Sequence, residues 1–214
     1  MSTSPTRAAV PAHARVILAS HNAKKLVELQ RILADAVPGL AADQVISSAG
    51  IELPDVVEDA VTFDGNALLK ARAAARATGL LAIADDSGLA VDVLGGSPGI
   101  FSARWSGRHG DDDANNDLLL AQLADVPDEH RTARFVCAAA LVAPDGTEVV
   151  ERGEMTGTLL RERRGAGGFG YDPLFVPDGS DRTSAELSAE EKDAISHRGT
   201  AFRAIAVHVA DLLS

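Results

Sequence analysis

Disulfide chemistry is closed to this chain, because it holds one cysteine, Cys137, and that residue sits inside the apolar run 135–142 as a small core side chain. No internal disulfide can form, which suits a reducing compartment, and a cytoplasmic location is expected. Positive charge is also scarce. Lys and Arg total 20 against 31 Asp and Glu, a formal net charge of −11, which leaves no basic stripe to follow a nucleic-acid backbone. A nucleic-acid polymer is therefore excluded as a partner, while a small anionic ligand held by a local basic cluster stays open. No apolar run approaches the roughly 20 residues needed to span a bilayer, and no membrane partner is expected. The six histidines are scattered without the short spacing of a zinc site, and no Cys–His or Gly-x-Ser-x-Gly nucleophile pattern occurs. Repeats and low-complexity linkers are absent. The segment Met1 to Arg15 is rich in Ser, Thr, Ala and Pro but lacks the apolar core of a signal peptide. The expected organisation is a flexible tail over 1–14 and a single domain over 15–214.

What is present is ample core material, with 46% of the 214 residues hydrophobic. Arg15 to Ala19 reads as a first strand, and Leu26, Leu29, Ile32 and Leu33 mark one face of the helix that follows. A second, Ala-rich helix is predicted from about Gly65 to Ala77, stopped by Gly79. A strand runs into Asp85, a further extended piece covers 89–93, and a helix spans about Asp112 to Leu123. Arg134 to Ala143 and Glu148 to Glu151 flank Pro144-Asp145-Gly146, a turn signal for an antiparallel hairpin. Leu174 to Val176 is a short apolar run. Ser188 and Glu191 form a capping box, and Phe202, Ile205, Ala206, Val209 and Leu213 stripe the last helix. Hairpin and crossover connections together predict an α/β fold with a mixed sheet, and two lobes with a cleft between them.

The most informative stretch is Ala84-Asp85-Asp86-Ser87-Gly88, where two adjacent carboxylates meet the end of an apolar strand. The strand is expected to stop there. Successive strand side chains face opposite ways, so two neighbouring aspartates cannot both reach solvent while the strand persists. Two such charges a few ångströms apart call for a shared proton or a cation, and a divalent metal is the economical one. A helix N-cap or an Asx-turn is the competing explanation.

Three further segments carry candidate chemistry. Lys24 and Lys25 stand in a helix's first turn, where cations oppose the dipole. With Ser20, Asn22 and free backbone N–H groups they make a phosphate cradle, unless they are simply a solvated pair. Lys70 lies in an apolar helical context, and Glu58 and Asp59 precede that helix as acidic loop residues or metal ligands. Four glycines surround Phe169 and leave its ring open for stacking by a purine, worth about 1–3 kcal/mol; otherwise the ring is a plug beneath a loop. Asp172, Lys192, His197 and Arg198 are the polar groups that would give specificity.

Six motifs in order resemble the Ham1/inosine triphosphatase family of noncanonical purine nucleoside triphosphate pyrophosphatases, from about Val16 onward. They are Ser20-x-Asn22-x-x-Lys25, Thr62-Phe63-x-x-Asn66-Ala67-x-x-Lys70, Ala84 to Leu89, Gly95-Gly96-x-Pro98-Gly99-x-x-Ser102-Ala103-Arg104, Gly168 to Pro173, and Glu191-Lys192-x-x-x-Ser196-His197-Arg198-Gly199. The resemblance implies an elongated mixed-sheet fold whose two lobes flank a central nucleotide-binding cleft. It implies that Ser20, His21, Asn22, Ala23, Lys24 and Lys25 cradle phosphate, and that Asp86 is the metal-bound general base. Asp85 and Glu58 would help hold a magnesium ion, Lys70 would face the polyphosphate, and Ser87 would add a substrate contact. Phe169, Gly170, Tyr171, Asp172, Lys192, His197 and Arg198 would line the base pocket. It further implies a homodimer that hydrolyses inosine and xanthosine triphosphates and their deoxy forms to monophosphate and pyrophosphate. Two positions depart from the pattern: Val57 replaces an acid found in some members, and Gly65 replaces a common Glu before Asn66. A Maf-type pyrophosphatase and a non-catalytic nucleotide sensor are the alternatives, the sensor being disfavoured by retention of Asp85, Asp86, Lys25 and Lys70.

Overall fold

A computed structural model describes residues 10–214; residues 1–9 of the expected tail lie outside the described residues. Ala14, the last residue assigned to that tail, is already buried, and the N–H of Arg15 donates to the Gln44 carbonyl. The chain forms two compact units, one from residues up to Asp86 with Ala138–Arg152 and Ala201–Ser214, the other from Ser87–Cys137 and Gly153–Thr200.

In the first unit, β1 (Val16–Leu18) is fully buried and pairs in parallel with β2 (Val45–Ser47) and with β3 (Leu81–Val91), placing Ile17 opposite Ile46 and Ala82. Parallel neighbours bury both faces, which explains the unbroken apolar strand. Helix α1 (Ala23–Ala36) begins where Asn22 Oδ1 accepts from the N–H groups of Lys24 and Lys25, and it buries Leu29, Ile32 and Leu33 as its periodicity predicts. Helix α2 (Phe63–Thr78) is capped by Thr62 and ends at Gly79, whose φ of 72° is the left-handed cap that glycine adopts without strain. Its alanines 67, 71, 74 and 75 meet Ala82, Ala84, Ala138 and Ala140, small side chains against small ones.

Strand β3 does not stop at the aspartates. It runs unbroken for 11 residues through Asp85, Asp86, Ser87 and Gly88, so neither the expected strand end nor the alternative turn or cap occurs. Each carboxylate finds a side-chain partner, as described below, and the backbone has no need to leave the sheet to hydrate them. Strand β4 (Thr132–Val142) and strand β5 (Glu148–Leu159) are neighbours joined by the short Ala143-to-Thr147 turn, so they form an antiparallel hairpin. β5 is much longer than the four residues expected. Its buried positions alternate at Gly153, Met155, Gly157 and Leu159, and two glycines hide the apolar period from the sequence. Strand β6 (Phe175–Pro177) pairs antiparallel with it, and a Cβ on Gly157 would lie 2.2 Å from the Val176 carbonyl oxygen. The six-stranded sheet has the order β2-β1-β3-β4-β5-β6 and is mixed, as predicted.

The second unit's core joins Leu89, Val91, Leu119, Phe135, Tyr171, Leu174 and Phe175. Helix α3 (Asp112–Gln122) is capped by Asp111, α4 (Ala189–Ile195) by the reciprocal Ser188–Glu191 box, and α5 (His197–Leu213) closes the chain, with Ser196 Oγ accepting from Gly199 N–H. Cys137 is fully buried, as its apolar context predicts. No helix among the described residues is long and apolar enough to cross a membrane.

A buried cation in this unit has no local sequence signal. Arg131 is 2% exposed and donates through Nε to Leu159, through Nη1 to Leu123 and through Nη2 to Leu160, at 2.7–2.8 Å from each carbonyl oxygen. Arg131→Ala should destabilise the protein by on the order of 3 kcal/mol, since three carbonyls lose their donor at once. Urea unfolding measures this; a change below about 1 kcal/mol would mean that water replaces the guanidinium without cost.

Candidate active site

The phosphate and metal candidates gather in the first unit around the middle of β3. Adjacent strand residues point to opposite faces, and the two aspartates accordingly meet different lysines. Asp85, with its side chain 1% exposed, accepts from Lys25 Nζ through both oxygens, at 2.9 and 2.7 Å. Lys25 thus reaches from the first turn of α1 to a carboxylate 60 residues away, and the pairing offsets the burial of both charges. Asp86 lies toward α2. Its Oδ2 accepts from Asn66 Nδ2 at 3.1 Å, and its Oδ1 is 3.8 Å from Lys70 Nζ. Lys70 in turn donates to Glu58 Oε2 at 3.2 Å.

Burial raises the pKa of Asp86 above the ordinary carboxylate value, and the charges of Glu58 and Asp85 push the same way; Lys70 and the Asn66 hydrogen bond pull it down without cancelling the rise. A carboxylate perturbed in that sense is suited to accept a proton.

The remaining members of the expected phosphate cradle are placed at the start of α1. Ser20 Oγ accepts from Asn22 N–H, and Asn22 uses its side-chain oxygen as the helix cap, while His21, Asn22, Ala23 and Lys24 are exposed. A cavity of about 250 Å³ carries Ser20, His21 and Lys70 on its wall, together with Ser48, Glu52 and Asp55, which the sequence did not single out.

Among the described residues no three His, Cys, Asp or Glu side chains form a metal cage. Glu58 and Asp86 nevertheless share one ammonium, that of Lys70, so the pair already sits where a cation neutralises it. Two carboxylates completed by phosphate oxygens and water are the oxygen donor set that magnesium favours, and the residues fit it. Asp85 accepts from Lys25 through both oxygens on the other side of the strand.

The base-pocket candidates gather in the second unit. Gly168 has a φ of 74°, and a Cβ there would fall 2.1 Å from Asp172 Oδ2. That tight turn lets Asp172 Oδ2 accept from the Phe169 N–H at 2.8 Å and from Lys192 Nζ. The Phe169 ring is 64% exposed, with Lys192 Nζ 4.9 Å from its centroid, so it presents a face and is no plug. Tyr171 and His197 are buried: the tyrosine hydroxyl donates to the Ser102 carbonyl, and the histidine ring stacks on Phe135 at 5.2 Å. Arg198 follows His197 in the first turn of α5 and is half-buried, as is Ser87 on β3. Sequence reasoning missed two supports of this loop. Asp112 Oδ2 accepts from the Gly170 N–H and Asn116 Nδ2 donates to the Gly170 carbonyl, so α3 clamps both polar groups of one glycine. Their i, i+4 spacing puts them on one helix face, yet nothing local marks what that face meets.

A mixed α/β sheet whose buried Asp85 and half-buried Asp86 each meet their own lysine defines an α/β protein whose first unit sets paired carboxylates against paired cations. Residues 16–208 match the model of the Ham1 family, and the chain belongs to that family. It is 64% identical over 199 residues to the dITP/XTP pyrophosphatase of Streptomyces coelicolor, covering 93% of this chain and 98% of that protein. Among solved structures, it resembles a nucleoside-triphosphatase / dITP/XTP pyrophosphatase from Mycobacterium abscessus with a TM-score of 0.75 at 54% identity, covering 89% of this chain and 98% of that one. The Staphylococcus aureus Ham1 protein superposes with a TM-score of 0.83 at 38% identity, covering 92% and 99%.

Proposed function

We infer that this protein is a nucleoside triphosphate pyrophosphatase that hydrolyses noncanonical purine nucleotides, the triphosphates of inosine and xanthosine and their deoxy forms, to the monophosphate and pyrophosphate. The observation that carries this is Asp86, a carboxylate of raised pKa held in a strand between Asn66 and Lys70, in a chain whose relatives are dITP/XTP pyrophosphatases. Asp86 accepts a proton from the water that attacks phosphorus. Lys25 and Lys70 neutralise charge on the phosphoryl oxygens. Glu58 and Asp86 would hold a magnesium ion, which when bound screens the triphosphate charge and acidifies a water molecule. Phe169 stacks on the base, and Arg198 donates to the purine 6-oxygen. The working form is a homodimer in the cytoplasm.

The test is product analysis with inosine, xanthosine, guanosine and adenosine triphosphates in the presence of magnesium. Monophosphate and pyrophosphate from the first two, with little from adenosine triphosphate, are expected. Orthophosphate and a diphosphate would reject the assigned bond, and preferred turnover of pyrimidine triphosphates would reject the assigned base.

A further inference from the structure

Asn66 has no place in the chemistry above, yet it is 1% exposed and both ends of its amide are used. Its Nδ2 donates to Asp86 Oδ2 at 3.1 Å, and its Oδ1 accepts from the Ala60 N–H at 3.1 Å. Ala60 lies two residues after Glu58, the second carboxylate around Lys70. A single carboxamide therefore ties the base directly, and ties the Glu58 loop through two residues of backbone.

The neighbouring glycine completes the seat. A Cβ on Gly65 would stand 2.6 Å from Ala60 Cβ, closer than real Cβ contacts allow, and a tight 3.2 Å from Thr62 Oγ1. The Ala60 side chain has no flexible end to swing aside, so any larger residue at 65 must lift the loop's backbone. The loop rests on the space that Gly65 leaves. Gly65 otherwise weakens α2, since glycine is among the poorest helix formers, and its retention in the first turn gains nothing locally.

We propose that Asn66 is a positioning residue which, with Gly65 as the seat for Ala60, holds Asp86 and Glu58 in one fixed frame for the cation and the attacking water. Only an amide side chain supplies a donor and an acceptor from one planar group. Aspartate at 66 would aim a second acceptor at Asp86, and alanine would leave both partners without their bond. Supporting groups of this kind typically change metal affinity or turnover by about 10–100-fold when removed.

The proposal rests on the pyrophosphatase reading above, and two readouts separate their failures. In steady-state pyrophosphate release from inosine triphosphate at saturating magnesium, Asn66→Ala should lower kcat by about 10–100-fold with KM changed by less than about threefold. In the second, Mn2+ binding to the nucleotide-free protein is followed by electron paramagnetic resonance. Gly65→Ala should weaken binding by about tenfold without lowering the melting temperature, because alanine favours the helix. Adding Ala60→Gly to Gly65→Ala removes the clashing carbon and should restore Mn2+ affinity, which a general loss of folding would not do. Parent-like Mn2+ binding by Gly65→Ala, or a double variant no better than the single, overturns the seat. A loss in Asn66→Ala confined to KM overturns the positioning role. A parent inactive on inosine triphosphate overturns the substrate reading and leaves the Mn2+ result to decide the seat.

Discussion

Asp86→Asn reduces pyrophosphate release by about 10²–10⁴-fold and at the same time raises the melting temperature of the metal-free protein at neutral pH. The loss of turnover follows from removing the proposed proton acceptor and one of the two carboxylates around Lys70, while shape and the Asn66 contact are retained. The gain in stability follows from the sign of the pKa displacement. Burial, the largest cause, raises Asp86 above its unfolded value, so over the interval between the two the folded protein binds a proton that the unfolded chain does not. Stability contributed by that proton is fully present below the unfolded pKa and is lost as pH rises through the raised one. At pH 7 the ionised side chain is a net burden, which an asparagine does not carry. Thermal melts in chelator at pH 7 and near pH 4 give the check: the variant's advantage should be largest at pH 7 and shrink as the parent's Asp86 becomes protonated. A variant less stable than the parent at pH 7 would show that the Lys70 pairing outweighs burial, and turnover within a few-fold of the parent would remove Asp86 from catalysis. Destabilisation of this kind is what a half-buried carboxylate of raised pKa is expected to impose.

Arg198→Ala collapses the preference for inosine over adenosine triphosphate. The specificity constant for inosine triphosphate should fall by one or more orders of magnitude while that for adenosine triphosphate holds, because an amino group at position 6 never accepted the bond. Arg198 lies half-buried in the first turn of α5, where a cation opposes the helix dipole. His197 beside it is committed to the core by stacking on Phe135, which fixes the backbone from which Arg198 projects. Steady-state kinetics on both nucleotides decide the matter. Equal losses would assign Arg198 to phosphate binding, and no loss on either would leave the 6-oxygen without its assigned donor.

Much of this arrangement was readable because it is local. Ser188 announces α4 through a side chain that bonds the N–H of Glu191, and Gly79 ends α2 through its own backbone freedom, whereas the Thr62 cap starts α2 at Phe63, two residues before the expected Gly65. The Pro144-Asp145-Gly146 turn fixes a hairpin, and the openness of Phe169 follows from the glycines around it. The motifs containing Lys25, Lys70, Asp86 and Arg198 named the family from sequence order alone, and the family model agrees.

Tertiary structure decided where the charges go. Whether β3 ends at Asp85 depends on Lys25, 60 residues earlier, and on Lys70 and Asn66 in α2; with those partners in place the strand runs straight through its aspartates. β2 is too short to carry a pattern, and β5 hides half of its buried face in glycine, so their extents are set by the strands beside them. Tyr171 and His197, read as pocket residues from their motifs, are both buried, because Ser102 and Phe135 come to meet them. The clamp of Asp112 and Asn116 on Gly170, and the triple carbonyl cap made by Arg131, join residues far apart in the chain. The sequence by itself determined the turns, the family and the inventory of reactive groups, since each depends on side chains within a few residues of one another or on their order along the chain. Which carboxylate meets which lysine depends on long-range pairing, and that only the folded chain decides.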